Sequence, residues 1–433
     1  MRRNVSMSDH QNYSLNGNSR IEFREKMSVF LFQCAVFLSI FGLASGDQST
    51  TQENFMRQIT WTLFGLFAFI NIFNDYLSTR KLNYSFGGIG IWSIVLYAIF
   101  SAAWSTDSFA TIKRSILLLI VLLLTISCFG KKQKNDTALD RVLMLPLIIL
   151  CALSVLFTLV APGVAITDIG WRGATSHKNE IGQVIVVALL LVIFGVSRKG
   201  TGFIKRVLAI SMLIVGLLFS KSSTSLVAVG VAIALTYGIS LVLLIRQDVK
   251  WTKPFLIIAL PSLVVIHIAF LTDKLPAFDQ ISGFLLASLG KSSTLTGRTE
   301  LWDLVLSQSL YHNPLLGGGY GGFWNGPFSV AAYTTFRNGI YLGQAHNGYI
   351  DIYNDMGWVG LALVAVVIIG LVFNIIKLMK RGHSEWKLVF SILIVTLIFN
   401  YAESTLMRTT QFLNIIFFAS VIYSQRACVR DET

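Results

Sequence analysis

The sequence predicts an all-α polytopic membrane protein with about 12 transmembrane helices. Three observations carry that reading. Of 433 residues, 54% are hydrophobic and only 13% charged, against roughly 25% charged in soluble domains. Apolar runs near the ~20 residues needed to cross a bilayer recur along the chain. Most connections are short, and since an open sheet edge cannot cross lipid, the runs are helices.

In chain order, residues 1–27 are polar and unlike the short leading region of a cleaved leader. The apolar run from Met27 is therefore read as a retained first span behind a cytoplasmic tail. Further spans are expected from near Phe55, Phe86, Ser108, Leu139, Ile181, Phe203, Thr224 and Pro254, making residues 28–272 a membrane bundle. A polar segment, 273–354, follows. Spans from Asp355, Trp386 and Thr405 complete the bundle over 355–425, and 426–433 is a second cytoplasmic tail. With both termini inside, the inner segments hold most of the 35 Lys and Arg residues, as the positive-inside rule requires. The net charge of +13 is then a mark of topology, and no nucleic-acid partner is expected. Cys34, Cys128, Cys151 and Cys428 form no CxxC and no Cys/His cluster, so neither a disulfide framework nor a metal site is expected.

The segment 273–354 is far longer than an ordinary connection, and such loops are usually functional or disordered. Its aromatic and glycine patterning argues against disorder. Within "LTGRTELWDLVLSQSLYHNPLLGGGYGGFW" (295–324), Leu301, Trp302, Val305, Leu306, Ser309 and Leu310 recur at helical spacing from Arg298. That predicts a short amphipathic helix, lying on the membrane or packed on the bundle. His312–Pro314 ends it. The glycines that follow permit a sharp bend or a ligand's close approach, and Tyr320, Phe323 and Trp324 could offer a sugar-stacking surface. A P-loop is excluded, because GxxxxGK[ST] is absent.

Other outer positions gather polar groups. "GWRGATSHKNEIGQ" (170–183) precedes the sixth span. Thr175 or Ser176 could cap that helix, with Asn179 and Glu180 in its first turn. Arg172, His177 and Lys178 would then stand beside a helix N-terminus, where backbone N–H groups favour anions. Arg57, Lys113 and Arg114 are read as snorkelling span-end cations; Lys221, Lys274, Lys291 and Arg337 also belong to the outer basic set. "AHNGYIDIYNDMGWVG" (345–360) sits at the mouth of the tenth span. Read as a helix, 345–356 puts His346, Tyr349, Ile350 and Tyr353 on one face and Asn347, Asp351, Asn354 and Asp355 on another. Glu403, in "NYAESTLMR", is an acid at a span end, where a partner or a task is expected; Arg408 is its nearest candidate partner. No HExxH and no GxSxG elbow occurs.

An Arg before a helix start, a GRTELW-type helix and then HNGYI with Gly357 and Gly360 resembles the O-antigen ligase and Wzy-type polymerase superfamily. "WRGATSHKNEIG" looks most like its exopolysaccharide polymerase branch. The motif-bearing part is about residues 170–370. The resemblance implies a periplasmic glycosyltransferase in the bacterial inner membrane. It would take a glycan from undecaprenyl pyrophosphate to a sugar hydroxyl without nucleotide, metal or other cofactor. Arg172 and Arg298 would bind the pyrophosphate and His346 would be the general base. His177, Lys178, Asn179, Lys221, Tyr320, Arg337, Asn347, Glu403 and Arg408 are carried as candidate substrate contacts. The implied partners are the lipid-linked donor, a glycan or lipid A-core acceptor and the bilayer, with a chain-length regulator or flippase as accessories.

The chemistry is coherent by itself. Fixed guanidinium groups in a water-poor site can stabilise the charge on a departing pyrophosphate. An acceptor hydroxyl needs a base, and neutral imidazole suits that task. Direct displacement would invert the anomeric centre. Two rival readings are a ligase, which differs only in acceptor, and a transporter of polysaccharide or lipid-linked sugar. The latter predicts mid-span ionisable groups and inverted repeats, which the sequence does not display.

Overall fold

The computed structural model describes residues 7–41, 51–79, 85, 87–131, 138–196, 202–246, 298–325, 329 and 343–429. Nearly all of the regular structure is helical. The first helices are α1 (Met7–Leu38), α2 (Thr51–Thr79), α3 (Gly88–Phe100), α4 (Ser108–Phe129) and α5 (Leu139–Val160). A short α6 (Pro162–Ala165) leads into a two-residue hairpin, β1 (Ile166–Thr167) and β2 (Gly170–Trp171), paired antiparallel. Then come α7 (Lys178–Phe194), α8 (Phe203–Ser220), α9 (Ser223–Arg246), α10 (Arg298–Ser309), α11 (Gly348–Lys380), α12 (Trp386–Ala402) and α13 (Phe412–Val429).

Six described helices are long and apolar enough to cross a membrane, and three shorter ones are apolar. The coarse architecture, a helical polytopic membrane protein, is the expected one; the described residues do not establish 12 spans. The span expected from Pro254 lies outside them. The span expected at Thr405 begins instead at Phe412, because residues 403–411 fold as a turn. Asn400 Oδ1 accepts from the N–H groups of Thr405 and Leu406 and holds that turn.

Burial sorts the helices. From Ile181 to Phe194 almost every α7 side chain is buried, as a helix apolar on all sides requires at the centre of a bundle. It packs on α5, α8, α9 and α12. By contrast α8 exposes Phe203, Ile204, Met212 and Phe219, a surface suited to hydrocarbon. α11 packs on α3, α12 and α13 and is broken at Gly357, whose φ of 63° is not helical. A Cβ there would collide with the Leu315 carbonyl, and one on Gly317 with the backbone at Met356. Only glycine lets these two backbones approach so closely.

The two ends of the bundle differ. At one, Asp75 accepts from Lys131 at 2.8 Å and faces Arg24 at 3.7 Å. At the other, the turn before α4 meets Gly318 and Gly322, the turn after α12 meets His346, and the start of α7 links that turn to the one between α8 and α9. Arg114 belongs here. Its Nη1 donates to the Gly321 carbonyl at 2.7 Å, so it braces the glycine-rich loop where snorkelling had been expected.

Candidate functional site

The stretch before α11 is the most firmly held at this second end. Ala345 is wholly buried. Its N–H donates to Asp351 Oδ1 at 3.1 Å, and its carbonyl accepts from Trp302 Nε1 at 2.8 Å. Asn347, equally buried, caps α11: its Oδ1 accepts from the N–H of Tyr349 at 3.0 Å and of Ile350 at 3.4 Å. Between these anchors His346 has a φ of 50°. A non-glycine residue in that region is strained by about 1–3 kcal/mol and persists where its surroundings over-determine it. His346 is therefore not on the helical face assigned to it from the sequence. The Asn347 cap starts the helix at Gly348, two residues beyond His346.

That conformation sets the imidazole against Glu403. Nδ1 lies 2.9 Å from Oε2, with the histidine side chain 36% exposed and the carboxylate 15%. Gln344 Nε2 is more distant, at 3.5 Å. The other carboxylate oxygen, Oε1, accepts from Asn179 Nδ2 at 2.6 Å. Asn179 Oδ1 in turn accepts from Ser222 Oγ at 3.0 Å, in the turn between α8 and α9. Lys221 precedes Ser222 there, exposed and left-handed with φ 53°. A single relay thus ties α7, the start of α9, the entrance of α11 and the end of α12.

The loop before α7 is braced by its own cations. Arg172 Nε donates to the Val164 carbonyl at 2.7 Å and Nη1 to that of Ser176 at 3.2 Å. Lys178 Nζ donates to the Ile169 carbonyl at 2.9 Å. The helix cap differs from both expected residues: it is His177, whose Nδ1 accepts from the Asn179 N–H at 3.2 Å. Glu180 turns back to accept from the N–H and hydroxyl of Ser176. Thr175 donates its hydroxyl to the carbonyls of Arg172 and His177. Both expected caps are thereby engaged elsewhere.

Arg298 opens α10; its side chain, like all of Arg337, lies outside the described residues. One turn on, Trp302 reaches Ala345 and lies against Tyr401, with ring centroids 5.8 Å apart. Trp302, Val305, Phe323, Trp324, Ala345 and Ile350 form one small core. The amphipathic helix is thus packed on the entrance of α11.

Arg408 does not pair with Glu403 as expected. Its Nη2 donates to Asp351 Oδ2 at 2.9 Å and to the Gly343 carbonyl at 2.8 Å. Asp351 Oδ1 also accepts from Trp324 Nε1 at 3.0 Å. A carboxylate only 5% exposed needs a cation and several donors to stay charged. Burial would pull the Arg408 guanidinium down, but Asp351 and Asp355 hold it above its ordinary value. Tyr320, Phe323 and Trp324 are all buried, so these rings are interior packing and not the sugar-stacking surface that their sequence allowed. The Tyr320 hydroxyl donates to the Met407 carbonyl, and with Asp351, Asp355 and Arg408 it lines a small cavity. Burial pushes that phenol up.

Trp302 and Asp351 are the anchors that sequence reading passed over. The signal was present: an indole N–H and an acid among apolar neighbours each require a buried partner.

Residues 183–365 match the family model described as O-antigen ligase, Wzy_C. That stretch, less than half of the chain, is similar to the O-antigen ligase family. The match contains Arg298 and His346 and leaves Arg172 and Glu403 outside it. Exopolysaccharide production protein ExoQ of Rhizobium meliloti (strain 1021) is 27% identical over 218 residues, which is 47% of this chain and 46% of that protein. The chain thus aligns with about half the length of this curated relative. Both findings agree with the resemblance drawn from the motifs.

Proposed function

We propose that the protein is a membrane glycosyltransferase. It moves a glycan from undecaprenyl pyrophosphate to an acceptor sugar hydroxyl at the periplasmic face, polymerising exopolysaccharide or O-antigen repeat units. The observation that carries this reading is the partly exposed His346 imidazole, which lies within the stretch that matches the O-antigen ligase family and is held by Glu403 from outside it.

In this scheme His346 takes the acceptor proton as the oxygen attacks the anomeric carbon. Lipid pyrophosphate departs from the opposite side, which inverts that centre. Arg172 and Arg298 meet the pyrophosphate charge. Two carbonyls already orient the Arg172 guanidinium, so little reorganisation is needed as charge develops. Lys221 and Arg337 would add to the positive rim, with His177 capping the helix beside it, while Asn347, Tyr320 and Arg408 hold the loops that shape it. The scheme uses neither nucleotide nor metal.

Purified protein incubated with a defined lipid-pyrophosphate oligosaccharide tests this. Longer lipid-linked chains of inverted anomeric configuration are expected, with EDTA leaving the rate intact. No chain growth, or retention at the new linkage, overturns it. The family description favours a second reading, a ligase using a lipid A-core acceptor. Deletion separates the two: single repeats left unpolymerised support the polymerase, long chains stranded on the lipid carrier support the ligase.

A further inference from the structure

The geometry points to Glu403 as a positioning residue that sets which nitrogen of His346 faces the acceptor. The inference rests on the proposed role of His346 and adds a residue from outside the matched domain.

An ionised carboxylate can only accept hydrogen bonds. With Glu403 Oε2 2.9 Å from His346 Nδ1, the proton of a neutral ring must sit on Nδ1. Nε2 then carries the lone pair, the atom a general base needs. A carboxylate behind an imidazole also steadies the cation formed when the ring takes a proton. Its Coulomb attraction is strongest where water is scarce, and the Glu403 side chain is only 15% exposed.

The carboxylate is itself aimed. Oε1 accepts from Asn179 Nδ2 at 2.6 Å, and Asn179 is oriented by Ser222 Oγ at 3.0 Å. Ser225 donates its hydroxyl to Ser222 at 2.8 Å. The order Ser225, Ser222, Asn179, Glu403, His346 gives each acceptor a donor and ends on the one ring that is partly exposed. Such a chain defines a direction for the ring as well as a tautomer. A carboxylate placed merely to staple α12 to α7 would need only the Asn179 contact.

Selectively ¹⁵N-labelled histidine in the full chain reads this directly, with the His346→Ala protein used to identify the resonance. In the wild type at a pH where the ring is neutral, the His346 signal should be that of the Nδ1–H form. In Glu403→Ala it should move to the Nε2–H form usual for unrestrained imidazole. Transfer with the lipid-linked oligosaccharide should lose kcat by about 10²-fold, in the range of lost base catalysis, with KM for the donor nearly unchanged. Glu403→Gln keeps an acceptor for Nδ1–H, and Asn179 can flip its amide because the Ser222 hydroxyl both donates and accepts. It should keep the wild-type tautomer and recover much of the rate. Asn179→Ala breaks the staple but leaves the histidine contact, and its tautomer should stay wild-type.

A wild-type ring carrying its proton on Nε2, or a signal unmoved in Glu403→Ala, overturns the inference even if His346→Ala is inactive. A shifted tautomer with undiminished kcat, beside an inactive His346→Ala, overturns it too. Activity surviving in His346→Ala instead removes the base assignment itself, which is a distinguishable failure.

Discussion

Two polar clusters sit among these apolar helices, and they behave differently. Ser28, Asn71 and Ser127 join α1, α2 and α4: Asn71 Nδ2 donates to both hydroxyls, at 2.8 and 3.0 Å, and the two hydroxyls lie 2.8 Å apart. All three residues are buried, and their bonds stay within these helices: the Ser28 hydroxyl also donates to the Arg24 carbonyl, one turn back in α1, at 3.0 Å. The His346–Glu403–Asn179–Ser222 relay also joins separate helices, but it ends on a ring that is 36% exposed. A closed cluster in a membrane satisfies its own groups and holds helices together. A relay with one end open leaves an oriented group to act on something else.

The largest effect expected at the open end comes from His346→Ala. It should lower transfer by about 10²- to 10⁴-fold, the usual contribution of a positioned base, with unchanged protein in the membrane fraction. Wild-type polymer from this variant would make the relay a structural cluster like the first. Arg298→Ala should likewise abolish polymer on gel analysis. Arg298→Lys should restore little, because an ammonium does not reproduce the planar guanidinium fork; full rescue by lysine would remove pyrophosphate recognition from that residue.

A smaller effect should follow from Trp302→Phe, which keeps the ring but deletes the donor to the Ala345 carbonyl. Losing one buried hydrogen bond costs on the order of 1 kcal/mol. Loosening beside the strained His346 should therefore reduce kcat several-fold while donor KM holds. A change confined to KM would show that this bond does not hold the catalytic turn. Smallest is Asn71→Leu in the closed cluster. Interhelical hydrogen bonds in membranes average about 0.6 kcal/mol, so a modest drop in melting temperature in detergent is expected, with specific activity of the folded protein intact. A loss of activity at equal folded protein would erase the distinction drawn between the clusters.

Much of this contrast could be anticipated residue by residue. His346, Asn179 and Glu403 stood out in the chain as polar groups at span ends. Their connection did not, since Asn179 and Glu403 are 224 positions apart and no local pattern records such a pairing. The Glu403–Arg408 pair looked natural from proximity in sequence. It failed because the buried Asp351 has the greater need of a cation. Tyr320 looked like a ligand platform because exposed and interior aromatics read alike in a loop without regular periodicity.

Helical membrane architecture was determined by the sequence alone. Apolar length and the requirement that every backbone group in lipid be satisfied within its own segment leave few other solutions. The domain match and the chemical character of the outer residues were equally local properties. Tertiary structure decided which polar side chains meet, that His346 stands before its helix in a left-handed turn, and which cations are occupied with carbonyls. Those outcomes depend on hydrogen bonds between helices far apart in the chain, where burial and competing partners select one pairing among several of similar local appeal.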